Sequence, residues 1–539
     1  MLNDECGMMN EKQSPFIHHS ALIIQHSSLS LMASSEDARA FKMGAVVARS
    51  AKAGAREFVL DTAVVAATQL LLKVRGLVAI PMIVKVLGTA QYGVWVQTLA
   101  LVDFSGSLVG LNLYHPLVRF LAEKPANGKS VYSTLMTATL ITSAAGGLLL
   151  YVAAGDISRV ILGDEAHAWG IRVGGLLVLC YNVRQLNLNA YRAVGRLKER
   201  SVLELLSTFG QLTGIGVLLW QGYDLLGIFI FMGIWEAAFA LLLSAHVVSL
   251  VGWGPLDKGV LSKALRYALP LLPAGLSIWM LDRSDRLILG YYLGPGSVGV
   301  YSAGYALASL LMLLQTPLQI TLFPKVSALW DSDRATAVRY VSLSNKLFLT
   351  LAIPFVVGVP VVASRVLSRL GNEELGTQGG GVLTLLVAAG VMLWGVSIMM
   401  SQLFYGARRT LPVGFVTVGA AALNLLLNLL LVPLWGTSGA AFSTLVAYLA
   451  ACLVFYLLSR SVARLNFYWL HLLKCAAAAL VMGAVLRAAT SAWHGAIIGP
   501  IVVGLITYFA LLWLLRAVSP AEIELVRGLF RTHPARGRS

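Results

Sequence analysis

Charge is what this 539-residue chain has least of: 12% of its residues are Asp, Glu, Lys or Arg, about half the share usual in a soluble domain. Its four cysteines (Cys6, Cys180, Cys452, Cys475) stand at no metal-ligand spacing, so they imply neither a disulfide framework nor a thiolate metal site. No HExxH or CxxC occurs, and Gly379-Gly380-Gly381 lacks the Lys-Ser/Thr that must follow in a phosphate loop. No enzyme motif and no cofactor is therefore read from the chain.

Apolar residues are abundant, at 58%. Runs long enough to cross a bilayer recur from about residue 59 to about residue 516, which defines an all-α membrane protein. Counting spans of about 20 residues gives fourteen, among them 93–117, 170–190, 411–432 and 436–459. The net charge of +16 could point to nucleic acid. It does not here, because the basic residues crowd the short loops that follow even-numbered spans, as with Arg192, Arg196, Lys198 and Arg200. The opposite loops hold little beyond Lys85, Arg159, Arg172, Arg365, Arg369 and Arg487. That asymmetry puts both termini in the cytoplasm.

The chain repeats itself. Leu87-Gly88 is followed by Gly93-Val94-Trp95, and Leu293-Gly294 by Gly299-Val300-Tyr301, the second glycine five positions after the first in both; Pro324 echoes Pro116. The repeat predicts two six-helix lobes, 57–255 and 256–460, then two extra helices over 461–518 and a basic tail over 519–539. Residues 1–56 differ. Their weak apolar patch, Ala21–Ile24, is broken by His18, His19 and His26 and lacks the core of a signal peptide. This segment is read as disordered, or as an over-long gene start with Met32 or Met43 as initiator.

Several ordered signatures resemble one known family. Val86-Leu87-Gly88-x-x-x-Tyr92-Gly93-Val94-Trp95 resembles the signature of polysaccharide repeat-unit flippases. Asp285-Arg286-Leu287-Ile288-Leu289-Gly290, then Gly299-Val300-Tyr301-Ser302-Ala303, then Phe323-Pro324-x-x-Ser327, is similar to its second-half signature. Pro433-Leu434-Trp435-Gly436-x-x-Gly439-Ala440-Ala441 resembles its late turn, so the match covers about 60–460. One departure is Lys85, which stands where many members carry arginine. The resemblance implies the multidrug/oligosaccharidyl-lipid/polysaccharide (MOP) exporter superfamily, with members that move undecaprenyl-diphosphate-linked oligosaccharides across the bacterial inner membrane. It implies proton or sodium coupling, a polysaccharide polymerase and chain-length machinery as candidate partners, and no nucleic acid. A monomer is expected. The alternatives are a multidrug/cation antiporter or a peptidoglycan-precursor flippase of the same superfamily and, in another class, a membrane polymerase or ligase. The last would need a long extramembrane loop that the chain lacks.

A diphosphate crossing a low-dielectric slab needs cations that can reach its oxygens. The candidates are Lys73 and Arg75 in the first span, Arg184 in the fourth, and Arg283 and Arg286 in the seventh. Residues 73 and 75 point about 200° apart on a helix, so one of them rather than both is expected to face a cavity; the other would snorkel or pair. Asp282 and Arg286 have i,i+4 spacing, which suits a structural ion pair as well as a substrate or ion site. Asp285 is the acid that falls on the family signature. Asp103 and Glu236, near the middle of their spans, either exchange a proton with the coupling gradient or pair with Lys73, Arg75 or Arg184. Asn182, Gln185 and Asn189 make the end of the fourth span polar, as a cavity mouth or as a helix end among headgroups.

Overall fold

The computed structural model of the protein describes residues 64–517 apart from 66, 124–126 and 494. The readings of segments 1–56 and 519–539, with Met32 and Met43, lie outside the described residues. All regular structure among the described residues is helical. The first half comprises α1 (67–87), α2 (Thr89–Val109), α3 (Tyr114–Glu123), α4 (Gly128–Val152), α5 (Ala154–Leu162), α6 (Ala168–Ala193), α7 (Leu197–Trp220) and α8 (Leu225–Val251). The second half comprises α9 (Lys258–Ala268), α10 (Leu272–Leu293), α11 (Pro295–Ala308), α12 (Met312–Leu329), α13 (Arg334–Leu370), α14 (Glu373–Gly379), α15 (Val382–Gly406) and α16 (Leu411–Ser459), followed by α17 (Trp469–Ala492) and α18 (Ile498–Leu514).

Nine helical stretches among the described residues are long and apolar enough to cross a bilayer. The number is ten if α2 and α3, bent by 46°, make one span. The fourteen expected spans are therefore matched in part. The expected 170–190 span is helical as α6, but Asn182, Arg184, Gln185, Asn187 and Asn189 lower its hydropathy. The expected 411–432 and 436–459 spans form one helical stretch interrupted at Gly436 (φ 60°, ψ −137°), three residues beyond Pro433. Residues 431 and 439 would stand about 12 Å apart on a straight helix. Here Gly439 lies against the carbonyl of Leu431, so the chain doubles back and α16 is two arms.

Apolar contact with lipid competes with apolar contact between helices, so close approach does much of the holding. Gly147 of α4 and Gly175 of α6 abut, each where a Cβ would meet the other's carbonyl oxygen. One core unites α1, α2, α6 and α8 through Ile80, Ile83, Val102, Ile171 and Phe229, and takes in Val300 and Ala303 from α11. A second gathers Tyr301, Phe348, Phe404, Tyr448 and Phe455 of the later helices. The last two helices dock on α13, where the Tyr508 hydroxyl donates to the Thr350 carbonyl at 2.6 Å.

The matched signatures form the seam between the two halves of the sequence. Gly88 (φ 87°) turns α1 into α2, and Gly294 (φ 78°) turns α10 into α11, both in a left-handed conformation that suits glycine. The first turns of α2 and α11 then cross reciprocally. A Cβ on Gly93 would strike the Pro295 carbonyl, and one on Gly299 the Thr89 carbonyl. Asn372 ties the crossing from outside, donating to Thr89 Oγ1 at 2.9 Å. From there α2 runs antiparallel to α10: Gln97 lies on Gly290, Asp103 meets Arg283, the Phe104 ring is 4.8 Å from that of Trp279, and Asn112 covers Gly275.

Candidate functional site

Below the glycine crossing, α2 and α11 part around a cavity of about 740 Å³. Its wall includes Lys73 and Arg75 of α1, Trp95 and Asp103 of α2, Arg184 of α6, Asp282, Arg283 and Arg286 of α10, and Ser302 and Tyr305 of α11. All five candidate cations thus share one space. Lys73 and Arg75 both line it, contrary to the expectation drawn from their helical angle. The reason is local: Leu71, Lys73, Val74, Arg75, Gly76 and Val78 are all exposed, so α1 is sparsely packed here and long side chains from either flank reach inward.

The three arginines are already engaged. Arg286 bonds Asp285 at 2.9 Å, with side-chain exposures of 11% and 3%. Asp285 also accepts from the Tyr301 hydroxyl and from the Arg286 main-chain N–H (2.9 Å). Arg286 reaches the main-chain carbonyl of Asp282, not its carboxylate, and its guanidinium lies 4.6 Å from the Tyr305 ring. The i,i+4 pair expected between Asp282 and Arg286 is therefore replaced by a pair between neighbours, because Asp285 faces the core beside Tyr301. Arg184 Nε donates to Glu236 at 2.8 Å, Gln211 donates to the other carboxylate oxygen at 3.3 Å, and the Arg184 guanidinium lies 5.3 Å from the Tyr181 ring. Glu236 is thus a paired acid.

Asp103 is paired as well, but with Arg283 across the seam, not with Lys73, Arg75 or Arg184. This pair is wetter, at 34% and 35% side-chain exposure. The difference is energetic. Removing one partner of a buried pair costs about 3–5 kcal/mol, whereas partly exposed pairs are worth only about 0–1 kcal/mol.

Lys73 and Arg75 have no carboxylate partner among the described residues; Lys73 Nζ sits 3.9 Å from the Met312 sulfur. Asn182 and Gln185 line the wall, Asn182 donating to Ser143 Oγ (2.9 Å) and the Gly106 carbonyl (3.2 Å). Asn189 departs from its expected place at the mouth: it is 3% exposed and donates to the Gln185 carbonyl. Residue patterns alone missed the aromatic and hydroxyl part of the wall. Trp95 Nε1 and Ser302 Oγ, both in the lining, have no hydrogen-bond partner among the described residues. A hint was available, since Trp95 and Ser302 lie inside the two signatures.

This fold and this polar, cation-rich cavity are those of a multi-pass membrane protein. The structure is similar to the Lipid II flippase MurJ in an inward closed conformation, at TM-score 0.69 and 13% identity over 88% of this chain and all of that one. It is also similar to an inward-facing MATE-family multidrug transporter, at TM-score 0.60 and 14% identity over 72% of this chain and 94% of that one. A family model for polysaccharide biosynthesis proteins matches residues 82–373, and the chain belongs to that family, as its signatures had implied. Among curated relatives is a probable flippase, AglR, of Haloferax volcanii, 24% identical over 379 residues that cover 68% of this chain and 75% of the relative.

Proposed function

We propose that this protein flips undecaprenyl-diphosphate-linked oligosaccharides from the cytoplasmic to the periplasmic leaflet of the bacterial inner membrane, for surface polysaccharide biosynthesis. The observation that carries the reading is the pair of cations without an ion-pair partner among the described residues, Lys73 and Arg75, in a cavity where the other cations have paired acids. A diphosphate joining lipid to sugar carries negative charge on both phosphates, and one of them can sit between these two cations. Leaving such charges in hydrocarbon costs tens of kcal/mol by Born solvation; a wet wall with cations and amide groups replaces the lost hydration. The unpartnered Trp95 Nε1 and Ser302 Oγ supply further donors for phosphate or sugar oxygens.

In this mechanism the polyprenyl tail stays in lipid while the headgroup travels in the cavity. Lobes 57–255 and 256–460 rock about the seam, and 461–518 is an appendix to them. The basic loops mark the cytoplasmic side, so the glycine crossing closes the periplasmic end. A proton or sodium gradient drives the cycle through the cavity-facing carboxylates Asp103 and Asp282, while Asp285 and Glu236 position their arginines. An antiporter for organic cations fits poorly, because the wall carries an excess of positive charge. The curated relative's description as a flippase and the likeness to a lipid flippase support transport over polymerase or ligase chemistry.

The test is deletion, identification of the lipid-linked oligosaccharide that accumulates on the inner leaflet, and complementation. The Lys73→Ala/Arg75→Ala double variant is expected to insert normally and to restore no surface polysaccharide. Normal export from it would overturn the cationic cavity. Accumulation of a peptidoglycan precursor instead would favour that related substrate.

A further inference from the structure

The Asp103–Arg283 pair has no part in holding the substrate as described so far, yet it occupies one of the cavity's cations. We infer that Asp103 is a resident counter-ion that competes with the anionic headgroup for Arg283, and that its displacement opens the α2–α10 seam. The inference rests on the diphosphate reading above.

Three features point this way. The pair joins the two halves of the sequence, from the middle of α2 to the middle of α10, and both side chains face the cavity where a ligand reaches them. Elsewhere along the seam the described residues place an amide over Gly290, the Phe104 ring against that of Trp279 and an amide over Gly275, none of which carries charge. Arg283 also has a second acid within reach, Asp282 at 3.5 Å, but that residue is its neighbour on α10 and cannot bridge to α2. Arg283 can therefore leave Asp103 without losing a counter-charge, and only the bridge is lost.

The consequence is selectivity. With Asp103 seated, the empty cavity presents Lys73 and Arg75 and withholds Arg283. A monophosphate is satisfied by the first two. A diphosphate has a second anionic group to offer Arg283, so it alone breaks the bridge efficiently.

Binding of undecaprenyl diphosphate and undecaprenyl monophosphate to the full chain in lipid nanodiscs tests this. The wild type is expected to prefer the diphosphate. Asp103→Asn, nearly isosteric, should tighten monophosphate binding about tenfold and narrow the preference, since Asp103 no longer competes for Arg283. Asp103→Glu should restore the wild-type preference. Trp279, beside Phe104 on the seam, offers an independent readout: diphosphate should change the fluorescence of a Trp95→Phe protein, and adding Trp279→Phe should remove that change. Unchanged or weaker monophosphate binding by a folded Asp103→Asn protein would make the pair merely structural and overturn the inference. A wild type that binds neither lipid would overturn the diphosphate reading itself, and this inference with it.

Discussion

The two walls of the cavity use the same residue type in opposite states. On α1, Lys73 and Arg75 project without an acid among the described residues, from a helix that is exposed on several sides. On α10, Arg286 is locked against Asp285, Tyr301 and Tyr305, while Arg283 is tied across to α2. An unpaired cation at membrane depth persists only where water or a ligand meets it. A paired, buried one can be architecture. The comparison separates cations left open to a ligand from cations that hold the wall, although all five read alike as charges in apolar spans.

The sharpest way to break this contrast is to exchange the roles. Replacing Arg286 with Met strands Asp285, which is 2% exposed, and should cost about 3–5 kcal/mol of stability, read as a large drop in detergent melting temperature. Replacing Asp285 with Asn at the same time should recover much of that loss. The Lys73→Ala/Arg75→Ala variant should do the reverse, leaving melting nearly unchanged. Each lost charge-assisted hydrogen bond is worth about 1.5–3 kcal/mol, so flipping of a labelled lipid-linked oligosaccharide should fall by about a hundredfold or more.

An intermediate case sharpens the line between the walls. Glu236→Gln keeps a hydrogen-bonding group for Arg184 but removes its charge, so it should loosen Arg184 without exposing a buried anion. Melting should fall by no more than about 1–2 kcal/mol equivalent, and an effect as large as that of Arg286→Met would move Arg184 to the structural side. Arg75→Lys retains charge and loses the bidentate fork; transport should drop less than about tenfold, well short of the alanine variant. Smallest of all, Ser302→Ala removes one neutral donor, worth about 1 kcal/mol, and should slow transport by no more than about fivefold.

Much of this was legible in the residues. The apolar runs announced a polytopic helical protein, and the signatures with Gly93 and Gly299 fall where the structure crosses α2 over α11. The candidate cations were all identified, because charge in an apolar span is rare enough to stand out. Pairing was harder to read. Asp282 looked suited to Arg286 by spacing, but the register of α10 against α11 gave Arg286 to Asp285. Asp103 looked suited to cations of its own half, but the antiparallel seam gave it Arg283. Asn189 looked like cavity lining, yet it is buried against its own helix.

Composition and periodicity by themselves determined the solvent this chain lives in and its helical class, because bilayer thickness and backbone hydrogen bonding constrain every spanning segment locally, while the resemblance of its ordered signatures pointed to its family. Only the tertiary structure decided which charges are neutralised and which face an opening. Ion pairing depends on side chains meeting within about 4 Å, and residues 180 positions apart, such as Asp103 and Arg283, meet only when the two halves of the chain close on each other.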